Sequence, residues 1–208
     1  MTATASAYDE HMTTTTTTPV DRLHFTGDDE SDRLLASDPL ALLIGFALDQ
    51  QVTVQKAFSG PAELRRRIGH LDPARIASMD PEKLAQAFRQ RPALHRFPGA
   101  MAKRVQALCA YLVKQSDGDA SRVWTDATDG RDLQARLMAL PSFGEMKVRS
   151  LLAILVKRFG LRLPGLDEVT PTHPTLGDVD SPEALERYQA AKRAHKAELR
   201  AAERGTTA

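Results

Sequence analysis

The chain has 208 residues, 42% of them hydrophobic and 26% charged, which fits one domain of ordinary size or two small lobes around a cleft. Its single cysteine, Cys109, excludes an intramolecular disulfide, a four-cysteine zinc site and a cysteine-ligated iron–sulfur cluster. No apolar run approaches the ~20 residues that cross a bilayer. The N-terminus also lacks the basic and apolar stretches of a secretory signal, so we expect a cytoplasmic protein with no membrane partner.

The formal net charge of +1 is unevenly distributed along the chain. Residues 1–37 carry seven acids and two bases, a balance of −5, which leaves +6 for the remaining 171 residues. An acidic leader before a moderately basic body is compatible with a polyanionic partner but does not require one.

Residues 1–20 are low in complexity, with an unbroken threonine run from Thr13 to Thr18. We predict that they are disordered, because they bury too little apolar surface to offset the entropy of ordering. The chain that follows is predicted to be helical almost throughout. Four helix starts share a capping side chain followed by a proline at the first helical position: Asp38-Pro39, Asp72-Pro73, Asp80-Pro81 and Ser181-Pro182.

The spacing of apolar residues supports these helices. Residues 38–50 are apolar on nearly every side, which predicts a central buried helix. Apolar side chains recur at three- and four-residue spacing in 98–115, 130–140 and 145–159, as on one face of a helix. Residues 160–180, rich in proline and glycine, are predicted to be irregular, and 181–203 to form a last, charged helix. No segment alternates like a strand, so the predicted fold is all-α with about eight to ten helices.

The helices at 130–140 and 145–159 are joined by so few residues that only a tight hairpin fits between them. Pro141 ends the first helix, and Gly144 permits a positive φ where the second begins. Free N–H groups at a helix start, together with the positive end of the helix dipole, bind phosphate. Lys147 and Arg149 would reinforce such a site. The alternative is a helix connection that binds no ligand.

Leu140-Pro141-x-x-Gly144 before a long apolar helix resembles the helix–hairpin–helix of the endonuclease III (HhH-GPD) superfamily of base-excision DNA glycosylases. Residues 97–105 (FPGAMAKRV) and 48–54 (LDQQVTV) resemble two family segments that precede the hairpin. The resemblance covers roughly residues 38–167. It implies a two-lobed helical fold with double-stranded DNA across the cleft mouth and a damaged or mismatched base flipped into the cleft. The cysteine count excludes the family's C-terminal cluster, so we expect no metal and no other cofactor.

The resemblance also implies which residues contact DNA. The amides of residues 142–147 would hold a phosphate of the damaged strand, and Gln50 or Gln51 would fill the gap left by the flipped base. The alternative for this glutamine is a buried amide that satisfies a helix end. The expected DNA-binding residues are Gln50, Gln51, Lys103, Arg104, Leu140, Pro141, Ser142, Phe143, Gly144, Glu145, Met146, Lys147 and Arg149. Phe97 and Trp124 are predicted to belong to the core.

The carboxylate that the resemblance implies is Asp167, which lies seven residues after Gly160, at the family's spacing. It would stabilise an oxocarbenium-like sugar or position a water. Pro171 and Pro174 interrupt the helix that the family continues after this residue, so Asp178 or Asp180 is the alternative.

Family members that also cleave the strand have a lysine two residues after the hairpin glycine. Met146 occupies that position here and points towards the expected cleft, with Lys147 at its flank. Because an amine one position late would aim elsewhere, we expect no efficient lyase activity and regard Lys147 as a secondary catalytic candidate.

The sequence therefore predicts a monomeric, monofunctional DNA glycosylase, nucleoid-associated if the source is bacterial. The alternatives are a non-catalytic helix–hairpin–helix DNA-binding protein and a helical protein-interaction module whose last helix recruits a partner. The expected organisation is a disordered tail at 1–20, a glycosylase domain at 21–180 with its hairpin at 130–160, and a charged C-terminal helix and tail at 181–208.

Overall fold

The structure, a computed structural model, describes the backbone of residues 20–205 and the side chains of residues 20–194. Nearly all of the predicted N-terminal tail lies outside these residues. The described part is all-α and contains no strand. Its helices are α1 (Asp29–Ser37), α2 (Pro39–Leu48), α3 (Val54–Ile68), α4 (Pro73–Ser78), α5 (Pro81–Arg89), α6 (Pro98–Ser116), α7 (Arg122–Thr125), α8 (Gly130–Met138), α9 (Glu145–Lys157), α10 (Leu166–Val169) and α11 (Pro182–Gly205), with a 3₁₀ turn at Leu176–Asp178. No helix among them has the length and apolar character to cross a membrane.

The predicted helix starts are confirmed. The Asp38 carboxylate accepts hydrogen bonds from the N–H groups of Leu40 and Ala41, and the other three capping side chains bond to the first turns of α4, α5 and α11 in the same way. Each cap satisfies N–H groups that have no partner within the helix, while the following proline has no N–H to satisfy.

The helices pack in two groups around one continuous core. Helices α1 to α6 contact one another, and α8 contacts α7, α9 and α10, while the 3₁₀ turn lies against α9 and α11. The predicted central helix is α2, in which every residue from Leu40 to Leu48 is buried. The ring of Phe46 on α2 packs 6.1 Å from that of Phe143 in the hairpin, so the end of α2 meets the start of α9.

The irregular stretch at 160–180 is confirmed apart from short α10 and the 3₁₀ turn. Gly177 allows this turn to lie directly on α9, because a Cβ at 177 would stand 2.5 Å from the carbonyl carbon of Ala153. The turn is closed by Thr175 and Asp178, which cap each other's backbone N–H groups. Residues 173–179 are thereby held against α9.

The hairpin turn differs from the prediction in one respect. Gly144 has φ −114° and a Cβ there would meet nothing within 4 Å, so the expectation of a positive φ at this glycine is wrong. The chain reverses two residues earlier, where Ser142 takes φ +71°. The left-handed conformation therefore falls on a residue with a Cβ, which is strained relative to glycine.

Candidate functional site

A cleft of about 1180 Å³ opens where the turn after α2, the start of α9, residues 173–179 and helix α11 meet. Asp49 and Gln51 line it from the turn after α2, and Met146 and Lys147 line it from α9. Tyr188 lines it from α11. The cleft thus collects ionisable and aromatic side chains from four separate parts of the chain, since Asp178 of residues 173–179 also lines it.

The turn after α2 carries a carboxylate that the sequence analysis did not single out. Asp49 ends α2, and its N–H donates to the carbonyl of Gly45 at 3.0 Å. Its carboxylate is half-buried in the cleft, and no hydrogen bond or ion pair to it is present among the residues described. Burial raises the pKa of Asp49, while the nearby ammonium groups of Lys192 and Lys147 oppose that shift. The sequence did contain a signal for Asp49: it directly precedes the two glutamines and follows a wholly apolar helix.

The amine of Lys147 lies in the same cleft. Its Nζ lies 3.4 Å from the carbonyl oxygen of Ala47 and 5.8 Å from the centre of the Phe143 ring. Burial lowers the pKa of Lys147, an effect that Asp49 opposes and Arg104 reinforces. The amine is therefore more readily unprotonated than an ordinary lysine.

Met146, which was expected to occupy the cleft in place of Lys147, is 71% exposed at its edge. Both side chains line the cleft, and Lys147 is the more deeply set of the two. Helical side chains lean towards the N-terminus of their helix, and Lys147 in the first turn of α9 therefore reaches the end of α2.

The two glutamines have different environments. The amide oxygen of Gln50 accepts a hydrogen bond from the guanidinium of Arg104, and its side chain is half-buried. Gln51 has φ +57°, is exposed and lines the cleft. Of the two, Gln51 is the one whose side chain is available to a ligand, and Gln50 with Arg104 supports the turn.

A buried histidine holds this turn in place. His95 is 1% exposed, and its Nδ1 accepts the N–H of Phe97 at 3.0 Å. Its Nε2 therefore carries the proton and donates to the carbonyl of Gln50 at 2.9 Å. Burial lowers the pKa of His95, which favours this neutral form. The imidazole joins the turn after α2 to the start of α6.

Replacing His95 with leucine is expected to lower the free energy of unfolding by about 2 kcal/mol, since it leaves the part-buried carbonyl of Gln50 and the part-buried N–H of Phe97 without their partner. H95Q keeps a donor near the Nε2 position and H95N an acceptor near Nδ1, so each is expected to recover part of the loss. Urea unfolding of the three variants checks this, and equal stability of H95L and wild type would contradict it.

In the hairpin the start of α9 is uncapped, and the predicted contact residues differ in their exposure to solvent. No side chain caps the first turn of α9, and although the N–H of Lys147 donates to the carbonyl of Gly144, those of Glu145 and Met146 are open to an anion. Ser142 and Gly144 are exposed and Pro141 is half-buried. The side chains of Leu140 and Phe143 are buried core residues that shape the hairpin, so any contact of these two residues with DNA falls to their backbone.

The remaining predicted contact residues differ in their exposure and in their hydrogen-bond partners. The Glu145 carboxylate accepts a hydrogen bond from Arg149 at 2.6 Å, which offsets the charge of that arginine beside the helix start. Lys103 is exposed on α6. Phe97 is 41% exposed with the Arg96 guanidinium 4.6 Å from its ring centre, so its assignment to the core is wrong. Trp124 does pack against the core.

The carboxylates predicted for catalysis lie in different places. Asp167 is exposed on α10 and does not line the cleft; α10 is tied to α8 through the Arg131–Glu168 ion pair at 2.9 Å. Asp178 does line the cleft, but it accepts hydrogen bonds from Lys157 at 2.6 Å and from the Thr175 N–H at 2.8 Å. Burial opposes the resulting decrease in the pKa of Asp178. Asp180 is exposed outside the cleft.

The cleft is thus open to a ligand. Among the residues with described side chains, it carries one carboxylate without a hydrogen bond or ion pair, Asp49, together with a partly desolvated amine, Lys147. Within the described residues, no three histidine, cysteine, aspartate or glutamate side chains converge in the way that metal ligands do. The chemistry that the side chains offer is acid–base, nucleophilic and electrostatic.

The family model described as HhH-GPD superfamily base excision DNA repair protein matches residues 44–205. This range includes the turn after α2, the hairpin and α11. Neither the comparison with curated proteins nor the comparison with solved structures gives a significant match. Because the family match spans most of the sequence, the chain belongs to the HhH-GPD superfamily of base excision DNA repair proteins, a family that binds DNA.

Proposed function

We propose that this member of the family is a DNA glycosylase that hydrolyses the N-glycosidic bond of a damaged or mismatched base held in the cleft. The observation that carries the proposal is the unengaged carboxylate of Asp49 in a cleft that begins beside the uncapped start of α9. The helix start offers a site for a strand phosphate, and the cleft offers room for an extruded nucleotide.

In the proposed reaction, Asp49 acts on the sugar of the extruded nucleotide. Cleavage of the N-glycosidic bond sends its electron pair to the base and leaves positive charge on the sugar. A carboxylate that is already oriented in a partly desolvated site stabilises this charge without reorganisation. It also accepts the proton of the water that attacks C1′. Asp167, outside the cleft, has no part in this proposal.

Lys147 supports the reaction through its position beside Asp49. In its ammonium form it favours the ionised form of Asp49, whose pKa burial alone would raise further. The N–H groups of α9 and exposed Lys103 are proposed to contact strand phosphates. Gln51 and exposed Phe97 are proposed to occupy the space that the extruded nucleotide leaves in the stack.

A second candidate activity rests on the lowered pKa of Lys147. An unprotonated amine in the cleft is able to attack C1′, displace the base and form a Schiff base with the opened sugar, which leads to strand cleavage. The hydrolytic and lyase routes differ in whether a covalent protein–DNA intermediate forms, so one assay separates them.

The test is single-turnover base release from duplexes that carry uracil, hypoxanthine, 3-methyladenine, 8-oxoguanine or adenine opposite 8-oxoguanine. The proposed hydrolytic activity predicts strand breaks on one of these duplexes only after alkali, with no covalent product in borohydride. Breaks without alkali, and a borohydride-trapped complex that disappears in K147A, would establish the lyase route instead. No product from any duplex, with salt-sensitive binding to an abasic-site analogue, would favour the non-catalytic DNA-binding protein.

A further inference from the structure

Helix α11 presents one continuous face to the cleft. Five of its residues line the cleft at the spacing of a single helical face: Ala184, Arg187, Tyr188, Ala191 and Lys192. The helix is held in place by buried Leu185 and by the hydrogen bond from Gln189 to Gln55 on α3 at 2.8 Å. The inner face of α11, defined by these five residues, is therefore a fixed wall of the cleft that the start of α9 also lines.

Two cations on this wall form no close ion pair with the side chains that the structure describes. Arg187 and Lys192 are exposed, and neither forms an ion pair shorter than 4.0 Å with another residue of the described side chains. Lys192 lies close enough to Asp49 to lower the pKa of that carboxyl against the effect of burial.

An aromatic ring lies beside one of these cations, on the same face of α11. Tyr188 is half-buried, and Lys192 Nζ stands 5.8 Å from the centre of its ring. Burial raises the pKa of Tyr188, and the charge of Asp49 adds to this shift, which places the ring beside the proposed reacting group. Two cations and an aromatic ring on one face of a helix match a nucleotide, with phosphates for the cations and a base for the ring.

We propose that the inner face of α11 is a second strand-binding wall. Arg187 and Lys192 contact the backbone phosphates that flank the extruded nucleotide, and Tyr188 packs on its base. This inference rests on the proposed function and adds to it, because it gives the damaged strand a clamp on each side of the cleft, α9 on one and α11 on the other. The charged C-terminal helix thereby becomes part of the substrate site.

The test compares the double variant R187A/K192A with R193A, which removes a cation from α11 that does not line the cleft. Binding to a duplex with an abasic-site analogue is measured at several salt concentrations. Each lost phosphate contact lowers the slope of log K against log salt by about 1, so the double variant is expected to lose about 2. R193A is expected to keep the wild-type slope. Thermal unfolding verifies that both variants are folded.

The possible outcomes separate this inference from the proposed function. Salt-dependent binding by wild type with an unchanged slope in the double variant would overturn the α11 wall and leave the glycosylase proposal standing. No salt-dependent binding by wild type would overturn both. If R193A loses as much salt-dependence slope as the double variant, α11 binds DNA only as a diffuse basic surface. That outcome also overturns the inference. Equal competition by duplex RNA would contradict a wall matched to DNA.

Discussion

Replacing Asp49 with asparagine is expected to lower single-turnover base release on the order of 10³-fold while leaving DNA binding intact. Asparagine keeps the size and polarity of the side chain but cannot carry the negative charge that stabilises the sugar. Rates at saturating enzyme, measured on whichever duplex the wild type processes, provide the comparison.

The raised pKa of Asp49 predicts how the rate of base release depends on pH. Burial raises the pKa of Asp49, so its carboxylate is protonated at a higher pH than an ordinary aspartate, for which the pKa is about 3.9. The wild-type rate is therefore expected to fall as pH falls through this raised pKa. If Lys147 must instead be unprotonated, the rate rises with pH through the lowered pKa of that amine. A pH profile between 4 and 10 distinguishes the two.

Asp167→Asn is the matched control, since Asp167 is exposed outside the cleft. We expect this variant to release base at close to the wild-type rate. A large loss of base release in D167N with none in D49N would indicate that the catalytic carboxylate is Asp167, as the family spacing implies. It would contradict the assignment to Asp49.

Phe58→Ala is expected to cost about 3–5 kcal/mol in the free energy of unfolding. Phe58 is fully buried on α3, and its ring makes edge-to-face contacts with Phe25 at 5.1 Å and with Phe46 at 5.2 Å. Truncation leaves a cavity at the contact between α2 and α3 and removes both aromatic pairs. Urea unfolding followed by circular dichroism measures the loss.

Val113→Ala on α6 is the control for this effect, because Val113 is 37% exposed. Its substitution is expected to change stability by no more than about 0.5 kcal/mol. A Phe58→Ala variant as stable as V113A would show that the rings of Phe25 and Phe46 do not depend on Phe58, contrary to the packing described.

Local rules were sufficient to predict most of the fold. The caps at Asp38, Asp72, Asp80 and Ser181 involve residues within one turn of each other, and such pairs are visible in a sequence. The wholly apolar stretch around Leu43 also predicted the central helix without any tertiary information. In both cases the structure follows from neighbours along the chain.

The cleft depended on contacts between distant residues, and the sequence predicted less of it. Lys147 enters the cleft because α9 begins beside the end of α2, a relation that helical spacing alone does not reveal. Asp49 faces the cleft because α2 ends at this residue beside α9 and α11. Tyr188 becomes part of the same site only because α11 folds back along it. The sequence spacing that pointed to Asp167 carries no information on these contacts between distant residues.

The most direct test of the account is to fill the cleft. Ala191 lines it from α11, whereas neighbouring Ala190 is exposed and does not line it. A191W is therefore expected to abolish single-turnover base release while A190W retains the wild-type rate, with both variants folded. Full base release by A191W would show that the extruded base does not occupy this cleft, and would contradict the central claim that Asp49 and Lys147 lie at the reaction centre.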